Sequence, residues 1–420
     1  MSNSLLSNYF YRALVLSLEF CLIITGYYVI KPLTRTLFLA HVGSDYLPRI
    51  WIFSAILLGF FLPIYQKLLR HFSRYSISFF SVASFVALLA LFRAILSTPS
   101  SYGVSAFYLL VDFYSIVLVE QFWSLTSALY PTSEGKKWYG LIGSGGLIGG
   151  MLGGYLAGSL ITYLKLPSQE LILLSATMFA SLLLLLAMMN KYHFFLDKSH
   201  SKSVNQETQI SWNQLIKSRY AIILAGVILF SQLIEPIVEF QFLKTVETNL
   251  NSLSDRTAYI SFAMSALNFA ALAINLTLTP LLQYYFGAIA GMGAQPLVVT
   301  LSTLAFCLQP TLNIASLLKI SDRALSYSIN RASKELLYIP LSPVLIYQLK
   351  SYIDMFGYRF FKILGSFIIL LLTEWLAWEF ATYYLSCTVI AVCAIWLLSL
   401  YFLAQDYRAI SVATPDSTPA

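Results

Sequence analysis

The chain is a succession of apolar runs long enough to cross a bilayer, broken by short polar stretches. A membrane-spanning helix needs about 20 mostly apolar residues to bridge the hydrocarbon core. About twelve such runs follow one another, near 12–38, 47–66, 76–97, 102–130, 139–164, 169–190, 219–243, 257–282, 286–308, 311–333, 358–381 and 383–404. Charge is correspondingly scarce. Only 11% of the 420 residues are Asp, Glu, Lys or Arg, against about 25% in a soluble domain. That is too little to cover a water-facing surface. The expected fold class is an all-α integral membrane protein with about 12 transmembrane helices, and its first partner is the lipid bilayer.

One long polar connection, 191–218, contains "DKSHSKSVNQETQ" and divides the runs six and six. The expected organisation is an N-terminal bundle over 1–190, a cytoplasmic loop over 191–218, a C-terminal bundle over 219–405 and a cytoplasmic tail over 406–420. The stretch from Trp212, "WNQLIKSRY", reads as a short surface helix. Two six-helix halves joined by a polar loop resemble the major facilitator layout. Basic residues are heavier on the side holding Lys67, Arg70, Arg74, Lys136, Lys137, the central loop, Lys334, Lys350, Arg359 and Lys362. That side should face the cytoplasm, with both termini on it.

The same distribution accounts for the net charge of +7 without a nucleic-acid partner. Cys21, Cys307, Cys387 and Cys393 all lie inside apolar runs, with no metal-ligand spacing, and read as inert. The first run carries Glu19 and reads as a retained helix rather than a cleaved leader. No HExxH or GxSxG occurs, and His41, His71, His193 and His200 are scattered. No catalytic residue, metal or cofactor is expected, and the protein is not expected to be an enzyme.

The run "YGLIGSGGLIGGMLGGYLAGSL", Tyr139 to Leu160, invites comparison with a phosphate loop. It lacks the third glycine, with Ile148 in its place, and no Gly-Lys-Ser/Thr follows. Small residues recur every four positions instead: Gly146, Gly150, Gly154 and Gly158 beside Gly145, Gly149, Gly153 and Ala157. Such stripes let another helix approach closely.

Ionisable residues inside the runs are the informative ones, since each costs about 2.5–3.5 kcal/mol at a lipid-facing helix centre. They are Glu19, Arg93, Asp112, Glu120, Glu235, Glu239, Lys319, Asp322, Arg323, Glu374 and Glu379. Helical spacing groups them: Glu235 with Glu239, Lys319 with Asp322 and Arg323, and Lys31 with Arg35 after Pro32. Glu19, Arg93 and Asp112 read as interhelical salt bridges, and Glu374 and Glu379 as interfacial groups beside Trp375 and Trp378.

The segment "KELLYIPL", Lys334 to Leu341, resembles the K-E-[ML]-x-Y-I-P-L signature of the nucleotide transporter family. That family includes the ATP/ADP translocases of obligate intracellular bacteria and plastids and is related to the major facilitators. "YYVIKPLTRTLFL", "VEQFWS", "EGKKWYGLIGSGGLIGG", "VEFQFLK" and "KSYIDMFGYRFFK" resemble other family segments in the same order. The pattern departs from the longer exchangers at Thr36, where Asp is common, and after the Ile-Pro-Leu, where their acidic continuation is missing. The resemblance implies that Lys31, Glu120, Glu239 and Lys334 are transport-essential.

The function expected is secondary transport by alternating access, of a nucleotide-like or other small phosphorylated anion, in a bacterial inner membrane. Lys31, Arg35, Lys319, Arg323, Arg331 and Lys334 would supply positive charge, Glu120 and Glu239 would pair with them by turns, and Glu335 would pair with a neighbouring helix. The alternatives are a proton-coupled carrier of a cationic or drug-like substrate, built on Glu120, Glu235 and Glu239, and a non-transporting scaffold. No oligomeric state is legible in the sequence.

Overall fold

The computed structural model describes residues 2–130, 132–191 and 218–413. The expected surface helix after Trp212 and most of the central loop lie outside these residues. The described residues form helices and no strands, as lipid demands, since a helix satisfies its own backbone hydrogen bonds. In chain order they are α1 (Ser2–His41), α2 (Leu47–His71), α3 (Arg74–Ile95), α4 (Ser101–Leu129), α5 (Thr132–Thr162), α6 (Leu171–Lys191), α7 (Arg219–Asn249), α8 (Leu253–Leu276) and α9 (Leu278–Leu308). Helix α10 runs from Leu312–Leu325 through a π turn, Ser326–Asn330, into Arg331–Leu337. Helix α11 joins Pro343–Tyr352 to Tyr358–Trp375 through a second π turn, Ile353–Gly357, and α12 is Trp378–Ala413.

Nine helices among the described residues are long and apolar enough to cross a membrane. The expected spans over 311–333 and 358–381 are also largely helical, but each holds four charged residues: Lys319, Asp322, Arg323 and Arg331 in one, Arg359, Lys362, Glu374 and Glu379 in the other. Two boundaries differ from expectation for local reasons. Helix α11 begins well before 358, because Ser342 accepts a hydrogen bond from the Leu345 amide and Pro343 opens the first turn. It also stops short of 381, at Trp375, where Leu376 turns to extended backbone. Inside α9, Gly287 has φ +78° and kinks the helix, a conformation that glycine adopts without strain.

The chain forms two compact units. One comprises Met1–Ser44, Phe60–Asn205 and Glu247–Phe269; the other comprises Asp45–Gly59, Gln206–Val246 and Ala270–Ala420. In the first, α1 is central and packs on α4, α5 and α6, while α3 covers α4 and α6. Two helices use the glycines of α5. Gly145, Gly149 and Gly153 lie against the α1 backbone at Ser17, Cys21 and Thr25. Gly150, Gly154 and Gly158 lie against Asn268, Ser261 and Phe262 of α8, while Gly146 receives the Phe20 ring. Polar groups bind these close contacts further: Thr25 donates to the Gly149 carbonyl at 3.2 Å and Ser265 to the Met151 carbonyl at 2.8 Å. In the second unit α9 packs on α10 and α12. Gln241 of α7 reaches Ser386 of α12 at 3.0 Å, and a Cβ at Gly365 of α11 would lie 2.6 Å from the Leu233 carbonyl of α7.

Candidate functional site

In the second unit, one turn of α7 carries Glu235 and Glu239, and one turn of α10 carries Lys319 and Arg323. The two helices present these pairs to each other. Lys319 forms a close ion pair with Glu239, and Arg323 meets Glu235 at 3.2 Å. Glu239, Lys319 and Arg323 are all buried. Buried charge is tolerated when it is paired and its remaining polar atoms are hydrogen-bonded. The adjoining residues contribute to this. The Arg323 Nε donates to Asp322 Oδ2 at 2.8 Å. Asp322, wholly buried, accepts from Gln295 of α9 at 2.9 Å through Oδ1. Gln295 Oε1 in turn accepts from Asn330 at 2.7 Å. A chain of polar contacts therefore runs from α7 through α10 to α9 and back to the π turn of α10.

That π turn opens onto a cavity of about 290 Å³. Its wall is made by Ser231 and Gln232 of α7, Ser326, Asn330, Arg331 and Lys334 of α10, and Tyr358 of α11, with Ile228 and Met292. Both π turns border it, one holding Ser326 and Asn330 and the other ending just before Tyr358. A π turn widens the helix and interrupts its regular bonding, and such turns are frequent at functional sites. Lys334 donates to the Tyr358 hydroxyl at 3.1 Å and lies 5.7 Å from its ring centre. Glu335, the adjacent acid, pairs with Lys350 of α11 at 2.6 Å. Two cationic side chains thus share one wall with hydroxyl and amide groups. That is chemistry suited to an anion carrying further hydrogen-bonding groups.

The remaining sequence candidates fall in the first unit, apart from Glu374 and Glu379, which belong to the second. Arg35 and Asp112 form a buried pair at 2.8 Å, with the guanidinium 4.2 Å from the Tyr108 ring centre. Lys31 stands 5.1 Å and 5.4 Å from the ring centres of Tyr27 and Tyr28. Glu120 is exposed on α4. Arg93 pairs with Glu170, and Arg49 with Glu374. Glu19 is buried, and its Oε2 has no hydrogen-bond partner among the described residues. Ionisable residues were the guide in the sequence, so the neutral groups Gln295, Asn330, Ser231, Gln232 and Tyr358 escaped it. A Gln before Pro296 in an apolar helix and an Asn next to Arg331 were the available signals.

The fold resembles major-facilitator-type transporters of known structure. The nucleoside transporter NupG superposes with a TM-score of 0.55 at 14% identity, over 93% of this chain and 98% of its own. A POT family transporter bound to 5-aminolevulinic acid gives 0.64 at 11% identity, over 92% and 96%. A bacterial homologue of the human lysosomal transporter Spinster gives 0.57 at 13% identity, over 98% and 99%. No curated protein is detectably similar in sequence. The family model of the TLC ATP/ADP transporter matches residues 96–407, well over half of the chain. The chain belongs to the TLC ATP/ADP transporter family.

This is therefore an all-α membrane transporter; its family and fold are those of transporters, not of enzymes. The TLC match spans Asp112, Glu120, the α7–α10 ladder and the whole cavity wall, whereas Lys31 and Arg35 precede it. Among the described residues no group of three or more His, Cys, Asp or Glu could hold a metal ion.

Proposed function

We propose that this TLC family member exchanges or takes up a nucleotide-like phosphorylated anion by alternating access, and that Arg331 and Lys334 receive its phosphates. The observation that carries the proposal is the pairing of these two cations on one cavity wall, with Lys334 held by a neutral phenol and Glu335 engaged by Lys350. Glu239, Lys319 and Arg323 support that wall from behind, and exchange of their partners accompanies the conformational cycle. Lys31, Arg35 and Glu120 serve the same cycle from the first unit. The sequence halves 1–190 and 219–405 are the rocking bodies, set in a bacterial inner membrane with both termini cytoplasmic. That the family is one of ATP/ADP transporters, and that NupG is a nucleoside transporter, supports a nucleotide-like substrate.

The test is counterflow of labelled ADP into proteoliposomes preloaded with ATP. Uptake that disappears in Arg331→Ala and Lys334→Ala, with both variants still folded, is the expected result. Folded protein that carries no nucleotide, but does carry an organic cation, would sink the proposal.

A further inference from the structure

The polar chain behind the cavity fixes the orientation of one wall residue, and that orientation leaves an acceptor for the occupant. Asp322 as a carboxylate can only accept, so Gln295 must turn its amide nitrogen toward it, at 2.9 Å. Gln295 then has only its oxygen to offer Asn330, so Asn330 must spend its amide nitrogen there, at 2.7 Å. The Asn330 Oδ1 is what remains. It is buried, on a residue only 7% exposed that lines the cavity, and has no hydrogen-bond partner among the described residues. A buried carbonyl oxygen left unsatisfied is costly and calls for a donor. The fixed charges at Asp322 and Arg323 prevent the amide from flipping to hide it.

We infer that Asn330 is a specificity-determining residue, whose Oδ1 accepts a hydrogen bond from an O–H or N–H donor on the same molecule whose phosphates meet Arg331 and Lys334. The inference rests on the anion-binding proposal above. It adds that a bare polyanion satisfies only part of the wall: two cations attract it, while the buried Asn330 Oδ1 still lacks a donor. A phosphate ester carrying a sugar hydroxyl or a base amino group satisfies both.

The experiment compares binding of ADP and pyrophosphate to the detergent-purified full chain, by calorimetry, in the unmodified protein and in Asn330→Ala. A net hydrogen bond to a neutral group is worth up to about tenfold in affinity. The expected result is a fall of about tenfold for ADP in Asn330→Ala, with pyrophosphate changed by less than twofold. Equal losses for both ligands would show a purely structural role and overturn the inference, and no loss for either would overturn it as well. Should Asn330→Ala fail to fold, the unmodified protein is measured with 2′,3′-dideoxy-ADP and with purine riboside diphosphate, which lacks the amino group. A tenfold loss with the first identifies the sugar hydroxyls as the donor, and with the second the base amino group. Full affinity for both analogues overturns the inference. The anion proposal fails separately, and this inference with it, if the unmodified protein binds neither ADP nor pyrophosphate.

Discussion

In the first unit Arg35 and Asp112 close on each other, with Tyr108 beneath the guanidinium, and the neutralised pair sits in a bundle of glycine-lined helix contacts. In the second unit the charges around Arg323 do not close pairwise. Arg323 is shared between Glu235 and Asp322, Asp322 between Arg323 and Gln295, and the chain continues to Asn330 on a cavity. Both arrangements meet the cost of charge in hydrocarbon. Beyond Asp112 the arginine reaches only its neighbour Thr34, at 3.1 Å, and the Tyr108 ring among the described residues, whereas the shared network continues to a cavity wall. The contrast teaches that an intramembrane charge is informative by what it is connected to more than by its presence.

The strongest way to break that contrast is to remove one partner in each unit and then both. Asp112→Ala and Asp322→Ala each leave a buried guanidinium short of its partner, and each should destabilise by about 3–5 kcal/mol. The double replacements should then diverge. Arg35→Met with Asp112→Leu restores most of the stability, because only the lesser contacts of Arg35 with Thr34 and the Tyr108 ring go with the pair. Arg323→Met with Asp322→Leu recovers less, because Glu235 and Gln295 still lose partners. Thermal unfolding in detergent reads this directly. Equal recovery in the two doubles would mean that the second unit holds separate pairs and no network.

A second effect concerns the ligand. ADP at about a hundred times its dissociation constant should stabilise the unmodified protein by about 2.7 kcal/mol. Lys334→Ala should lose that stabilisation, whereas the Arg35–Asp112 double apolar variant should retain part of it. Loss in both variants alike would place the first unit's pair in direct service of the ligand and erase the distinction drawn above.

Much of this arrangement was legible before any coordinates, and the limits are instructive. Spacing of four along a helix put Glu235 with Glu239 and Lys319 with Arg323, but no periodicity tells which helix will face which. The ladder is a tertiary fact. Gln295 and Asn330 were missed because a neutral amide disturbs an apolar run too little to be noticed, yet burial makes each one demand a partner. Apolarity alone places the start of helix α11 too late, because its opening turns are announced by the Ser342–Pro343 cap and not by an apolar run. Conversely the glycine run announced close packing, while its division between α1 and α8 depended on which neighbours the chain brought to it.

The glycines of α5 supply a smaller, signed prediction within the first unit. A Cβ at Gly153 would lie 2.6 Å from the Thr25 carbonyl oxygen, whereas at Gly143 it would meet nothing within 4 Å. Gly153→Ala should therefore cost about 1–3 kcal/mol through overpacking. Gly143→Ala should stabilise by up to about 1 kcal/mol, because alanine is the better helix former. Melting temperatures moving in opposite directions is the expected outcome. Two decreases would mean that α5 uses both positions against neighbours.

The smallest effect comes from an ion pair that resembles the ladder in chemistry and differs in surroundings. Arg49 meets Glu374 near the start of α2 and the end of α11, with side chains 47% and 53% exposed. The groups are a guanidinium and a carboxylate, as in Arg323–Glu235, and their contact is no looser. Solvent separates the two cases. An exposed pair exchanges water for a partner of similar worth, loses side-chain entropy and is screened by salt, so Arg49→Ala should change stability by less than about 1 kcal/mol. The Arg323 pair, 4% exposed on the arginine side, has no water to fall back on. Unfolding of Arg49→Ala at low and high salt checks this. A loss near that of Asp322→Ala, unaffected by salt, would show that this end of α2 and α11 lies inside the low-dielectric layer. The apolar spans would then extend beyond the limits that hydropathy gives them.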